Sequence, residues 1–325
     1  MINKLLTIAA NTFTETLRQP IYAVILCFAL LMFLLSPSIT MYSLDEDTKF
    51  LREIGLSTLF LTGLFIAIFA ASGAVTEEIE TKTITTILSK PISRPTFIIG
   101  KFLGVSAAVS LAHYICTLAY LMVVRHGVLE AATDTHDWTV IVAASVTVTA
   151  VLFITAFLNY SYDWNFPATA IVLTSIFATF AMSFLLCIDK GWTFNPANNQ
   201  MSLFDVNASL LLLLAILVLV SLAIMFSTRF NIVLTLIFCV GAFLFGLISE
   251  YLYMKIITSY PHGQIWGHVV RVFIPNLQVF WISDAIYEGS VIPASYILTS
   301  ILYAGLYISG ILFMAVALFQ KRQVG

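Results

Sequence analysis

Residues 207–226 read NASLLLLLAILVLVSLAIMF, an unbroken stretch without one charged side chain. A bilayer core about 30 Å thick is crossed by about 20 apolar residues in a helix, which satisfies its own backbone where no water can. Further nearly unbroken apolar runs fall at 20–42, 56–76, 97–124, 138–160, 167–188, 231–253 and 293–319. The composition repeats the pattern: of 325 residues, 60% are hydrophobic and 10% charged, and the mean hydropathy is +0.98. A soluble chain carries roughly 25% charged residues to wet its surface. With 15 Lys and Arg against 17 Asp and Glu, a soluble enzyme, a disordered chain and a nucleic-acid binder are excluded. The runs are too continuous for the alternating strands of a barrel. The expected fold is an all-α polytopic membrane protein of about eight transmembrane helices, one transmembrane domain over residues 1–325 with the lipid bilayer as its solvent.

Orientation follows from the basic residues. With the N-terminus inside, the inner segments hold Lys4, Arg18, Lys82, Lys90, Arg94, Lys101, Arg229, Lys321 and Arg322. The outer segments hold Lys49, Arg52, Arg125, Lys190, Lys255 and Arg271, nine inside against six outside. Both termini are therefore expected in the cytoplasm of a multi-pass protein of a bacterial inner (plasma) membrane, with 254–292 an extracytoplasmic loop. Residues 1–19 lack the early apolar core of a signal peptide. They place Ile2, Leu5, Leu6, Ala9, Phe13 and Leu17 on one helical face and Asn3, Lys4, Thr7, Asn11, Thr14, Glu15 and Arg18 on the other. That pattern predicts an interfacial helix that turns into the bilayer at Pro20; an ordinary frayed start is the alternative. Cys27, Cys116, Cys187 and Cys239 sit in apolar runs with no CxxC pair, as lipid-facing or core residues.

The densest charged stretch, residues 77–101, reads EEIETKTITTILSKPISRPTFIIGK. Glu77, Glu78 and Glu80 at its start and Lys90 at its end suit a helix dipole. Ile79, Thr83, Ile84, Ile87 and Leu88 fall at helical spacing, and Pro91 stops the helix. A short amphipathic helix of this kind lies on headgroups or docks in a partner's groove, and the three acids favour docking.

The acidic start, the Thr-rich turn, ILSKPISR (87–94) and FIIGKFLG (97–104) resemble the cytoplasmic loop of ABC type-2 transporter permeases. LTIAANTFTETLRQPIY (6–22) resembles the elbow helix of that family. IPNLQVFWISDAIYEGSVIP (274–293) and LFQKR (318–322) resemble its last external segment and C-terminus. The resemblance implies that loop 77–96 carries a coupling helix seated in a cleft of a separate cytoplasmic ABC ATPase. It assigns Glu77, Glu78, Glu80, Thr83, Ile84, Ile87, Leu88 and Arg94 to that coupling. It further implies a permease subunit of an exporter, a dimer formed with a second permease copy or homologue, and ATP and Mg held by the partner ATPase. The family's usual count is six spans, and this chain is expected to insert an extra apolar pair at 207–253.

No phosphate cradle is legible: Gly100-Lys101 is followed by Phe102, and the first P-loop glycine is missing. The chain is thus expected to be no enzyme and to hold no cofactor or metal, hydrolysis coming from another polypeptide. At membrane depth, His113, with Ser110 and Ser106 one and two turns before it, is a candidate for the translocation path. The competing reading bonds His113 to a backbone carbonyl or a serine. Asn159 is a second candidate; with Thr147, Thr149 and Thr155 it alternatively packs helices together. Glu250, near the outer end of its run, is expected to be neutralised by Lys255. A secondary transporter would place charges and broken helices at mid-membrane in repeated halves, and a polytopic membrane enzyme or scaffold remains the third class. A topology reporter fused after Arg322 is expected to be active only in the cytoplasm, and one inserted near Asp134 only outside; equal sidedness would show the span count to be wrong.

Overall fold

A computed structural model describes residues 2–40, 47–80, 93–129, 134–199, 201–259, 263–282 and 292–320. These residues are overwhelmingly helical: α1 (Ile2–Arg18), α2 (Pro20–Thr40), α3 (Asp47–Ala71, running on through Ser72–Glu77 and Glu78–Glu80), α4 (Arg94–His126), α5 (Trp138–Tyr162), α6 (Phe166–Cys187), α7 (Leu203–Ser227), α8 (Ile232–Leu247), α9 (Ser249–Ser259), α10 (Gly263–Phe273) and α11 (Ala294–Gln320). Seven of them, α2 to α7 and α11, are long and apolar enough to cross a membrane.

Local chemistry sets the helix ends. The Asp137 carboxylate caps α5 by accepting from the amides of Thr139 and Val140, and Asn165 caps α6 by accepting from Ala168. Asp163 closes α5 in the left-handed region at φ 54°, a conformation Asp tolerates better than most residues. Inside α2, Pro37 has no N–H for the Phe33 carbonyl four residues earlier; the Ser36 hydroxyl donates to that carbonyl at 2.8 Å instead. In α11 the buried positions Ser300, Ala304, Ile311, Ala315 and Phe319 form one stripe. Leu302, Leu306 and Phe313 are exposed on the other side, as suits a helix solvated by lipid.

The apolar run expected as a span over 231–253 is a broken pair. Helices α8 and α9 meet at a bend of 62°. The cause is local to Gly246. Its carbonyl accepts the Leu277 amide at 3.1 Å and the Ser249 hydroxyl at 2.9 Å. A Cβ there would lie 2.8 Å from Leu277 Cγ and 2.9 Å from the Pro275 carbonyl, so the crossing segment fits only against glycine. With 16 residues, α8 is about 24 Å long at about 1.5 Å per residue, short of a full crossing. The stretch expected as the 254–292 loop carries the end of α9 and all of α10, which pack together. Glu250 meets Arg271 at 3.6 Å and Asn276 at 3.3 Å, while Lys255 lies over the Tyr251 ring; the expected Glu250–Lys255 pairing is replaced by these.

The chain forms two compact units, residues 1–12, 67–106 and 210–325 in one and 13–66 and 107–209 in the other. The second unit is tied by buried charge. Asp205 accepts from Tyr120 at 2.7 Å and pairs with Arg52 at 3.2 Å. Arg125 is buried and donates to Asp137 at 3.3 Å, to Thr139 and to the carbonyls of Leu185 and Ile188, which leaves few of its donors unmet. Burial alone pushes the Asp137 carboxyl up, but the Thr139 hydroxyl and Arg125 outweigh it and hold it below its usual range.

In the first unit, α1 lies against α4 at Gly100 and Gly104, four residues apart on one helix face. A Cβ on Gly100 would sit 2.8 Å from Ile8 Cγ2, and one on Gly104 would sit 2.5 Å from the Ala9 carbonyl. Small residues at this spacing let two backbones approach closely where lipid gives no hydrophobic drive. Gly104→Ala is expected to destabilise the protein by about 1–3 kcal/mol through overpacking. Gly241→Ala, with nothing within 4 Å, is the control expected to leave the melting temperature of the detergent-solubilised protein unchanged or slightly raised.

Candidate functional site

The site is the base of the loop between α3 and α4, and it is assembled from the ends of four helices in one unit. At the end of α3 the backbone opens into a π turn, Ser72–Glu77, in which Ser72, Ala74, Val75 and Thr76 are buried. Such bulges redirect side chains that a regular helix would point elsewhere. Here the Thr76 hydroxyl reaches the Ser227 carbonyl at 3.2 Å and the Phe230 carbonyl at 3.3 Å, at the end of α7.

Two residues further, Glu78 Oε1 accepts from Lys101 Nζ at 2.6 Å. The Lys101 side chain is 4% exposed and that of Glu78 18%, so the pair is largely removed from solvent. Lys101 also lies over the Phe97 ring, 5.7 Å from its centroid. Residues 78 and 101 flank the loop, and their pairing draws its two ends together.

The start of α4 makes a second set of contacts. Ser93 caps it, with the Thr96 amide on its hydroxyl and the Phe97 amide on its carbonyl, and Pro95 needs no partner in this first turn. Arg94 donates to the Phe319 carbonyl at 3.0 Å and the Gln320 carbonyl at 2.7 Å, and lies 5.6 Å from the centroid of the Phe319 ring. Phe319 in turn stacks on Phe97 at 5.6 Å. Arg229 donates to the Leu318 carbonyl at 2.6 Å. Two guanidinium groups thus serve the last carbonyls of α11, where the helix dipole favours a cation.

Of the residues assigned to coupling, Glu78 and Arg94 are held inside this base, and Glu77 is exposed beside it. Glu80 closes the last turn of α3. Thr83, Ile84, Ile87 and Leu88 lie outside the described residues. His113, 5% exposed, faces the Ser209 carbonyl and hydroxyl at 3.0 Å, and Thr117 reaches the same hydroxyl at 2.6 Å. That arrangement is the serine- and carbonyl-bonded histidine of the competing reading, joining α4 to α7. Asn159 donates to the Trp164 carbonyl at 2.6 Å and braces the turn between α5 and α6. Nothing in the sequence singles out Thr76 or Phe319, or shows the partners of Lys101 and Arg229. The spacing of Gly100 and Gly104 was a visible signal for the seat of α1; a hydroxyl reaching another helix's carbonyl leaves no such trace.

Helices of this length and apolarity define a multi-pass membrane protein. Residues 6–161 match the family model described as ABC-2 family transporter protein. The match runs from α1 almost to the end of α5, just under half of the chain, and includes the loop and the α3 and α4 sides of its base. No curated protein matches the chain.

Glu78→Gln leaves the buried Lys101 ammonium without its counter-charge and is expected to cost about 3 kcal/mol. Pairing it with Lys101→Met should restore most of the loss. Melting temperatures of the four members of this cycle, measured on monodisperse protein, check the coupling; additive losses would show that the two residues act independently.

Proposed function

We propose that this chain is the permease subunit of an ABC exporter, forming the translocation path and driven by a separate ABC ATPase that binds ATP and Mg. In this reading it lies in a bacterial inner membrane with both termini in the cytoplasm. A second permease copy or homologue completes the pathway, and an ATPase docks beneath each. The observation that carries the reading is the convergence of the ends of α3, α4, α7 and α11 at the base of the loop, within the stretch that matches the family or in contact with it.

The geometry suits transmission of force. A loop whose ends are clasped by Glu78 and Lys101 cannot absorb a push from below by splaying. Displacement of the loop passes through Thr76 to α7 and through Arg94 to α11, so ATPase closure moves several spans together. The apolar face around Ile84 and Ile87 is the anchor in the ATPase cleft, and the acids set its register.

Full burial of Ile84 or Ile87 contributes roughly 1.5–3 kcal/mol each. Exposed ion pairs of Glu77 or Glu80 contribute only about 0–1 kcal/mol. Ile84→Asp with Ile87→Asp is therefore expected to abolish ATPase capture and transport at unchanged membrane levels, and Glu80→Lys to weaken them mildly. Pull-down of the cognate ATPase by wild type and double variant decides the matter: equal recovery would remove the coupling assignment. The purified chain alone is expected to hydrolyse no ATP.

A further inference from the structure

Between the second half of α1 and the turn joining α5 to α6 lies a cavity of about 820 Å³. That is the size of a site for a small molecule or a lipid headgroup with part of its chains, which typically takes about 300–1,000 Å³. Its walls are divided by chemistry. Phe13, Leu17, Val172 and Leu173 make an apolar side, and Arg18 and Asp163 bring one cation and one anion to the same space. Arg18 stands in the last turn of α1, on a residue exposed to the surroundings. Neither Arg18 nor Asp163 makes a side-chain hydrogen bond or ion pair among the described residues.

The turn that presents Asp163 is fully braced. The Asp163 amide donates to the Asn159 carbonyl at 3.0 Å, Asn159 holds the Trp164 carbonyl, and Asn165 accepts from the Ala168 amide at 3.1 Å. The backbone needs of this turn are met without the Asp163 carboxylate, which is left to the cavity. Depth is given by the surrounding residues. Helix α1 is amphipathic, and Tyr160, Tyr162 and Trp164 are 90%, 64% and 53% exposed, the pattern of side chains at the boundary between headgroups and acyl chains.

We propose that this cavity binds a phospholipid with an ethanolamine headgroup. Its phosphate pairs with the Arg18 guanidinium, its ammonium donates to the Asp163 carboxylate, and an acyl chain lies along Leu17, Val172 and Leu173. The ammonium is decisive. Choline carries a positive charge but no N–H to donate to Asp163, and the glycerol headgroup of phosphatidylglycerol brings no cation to that carboxylate. The inference goes beyond the transport reading and stands whether or not an ATPase docks at loop 77–96.

The test reconstitutes the purified full chain in nanodiscs of equal parts phosphatidylethanolamine, phosphatidylcholine and phosphatidylglycerol, and identifies the lipids retained after detergent extraction by native mass spectrometry. Wild type is expected to retain phosphatidylethanolamine about tenfold over phosphatidylcholine, equivalent to one charge-assisted hydrogen bond of about 1.4 kcal/mol. Asp163→Asn keeps the left-handed turn and is expected to erase the preference while still holding a phosphate. Arg18→Gln is expected to lose both zwitterionic lipids. Thr169→Trp fills the same cavity from its wall and is expected to lose all three; it decides the question if Arg18→Gln is not monodisperse. Equal retention of the three lipids by wild type, a preference for phosphatidylglycerol, or an unchanged preference in Asp163→Asn overturns the proposal. ATPase capture measured on the same variants separates this outcome from failure of the transport reading.

Discussion

The last carbonyls of a transmembrane helix have no partner within the helix, and near hydrocarbon they have little water to turn to. At the end of α11 the carbonyls of Leu318, Phe319 and Gln320 are met by Arg229 and Arg94, one from beyond α7 and the other from the first turn of α4. At the end of α7 the carbonyls of Ser227 and Phe230 are met by Thr76 from the π turn of α3. Capping these two helix ends with side chains from their neighbours fixes where those ends lie. The Glu78–Lys101 pair, and with it the base of the loop between α3 and α4, belongs to the same arrangement.

One short segment serves two purposes at once. Gly100 and Gly104 seat α1, while Lys101 between them turns to Glu78 and Phe97 turns to Phe319. A helix has room for this because residues four apart share a face and their immediate neighbours do not. Helix α1 and the base of the loop are therefore joined through a single turn of α4.

Polar groups elsewhere in the spans hold helices together. His113 with Ser209 and Thr117, and Arg52 with Asp205 and Tyr120, join α3 and α4 to α7 inside one unit. These are costly groups to remove from water, and each is repaid by a specific partner. The remaining apolar helices expose much of their surface, and the cavity beside α1 is where that lipid-facing surface acquires a cation and an anion together.

The amino-acid sequence by itself determined that this is a helical membrane protein, where its long spans lie, and that its first helix is amphipathic. Those properties are sums over many side chains along one segment, so composition and period carry them. The resemblance of residues 87–104 to a family loop was equally legible, because it is a string of neighbouring letters. Only the tertiary structure decided that the 231–253 run breaks at Gly246, since the cause is the approach of Leu277 and Pro275 from thirty positions away in order of magnitude. It alone gave Glu250 to Arg271 in place of Lys255, and joined Glu78 to Lys101 and Arg94 to the end of α11. An ion pair or a cap between distant segments has no period and no local spacing; its energy depends on a distance that exists only once the helices have packed.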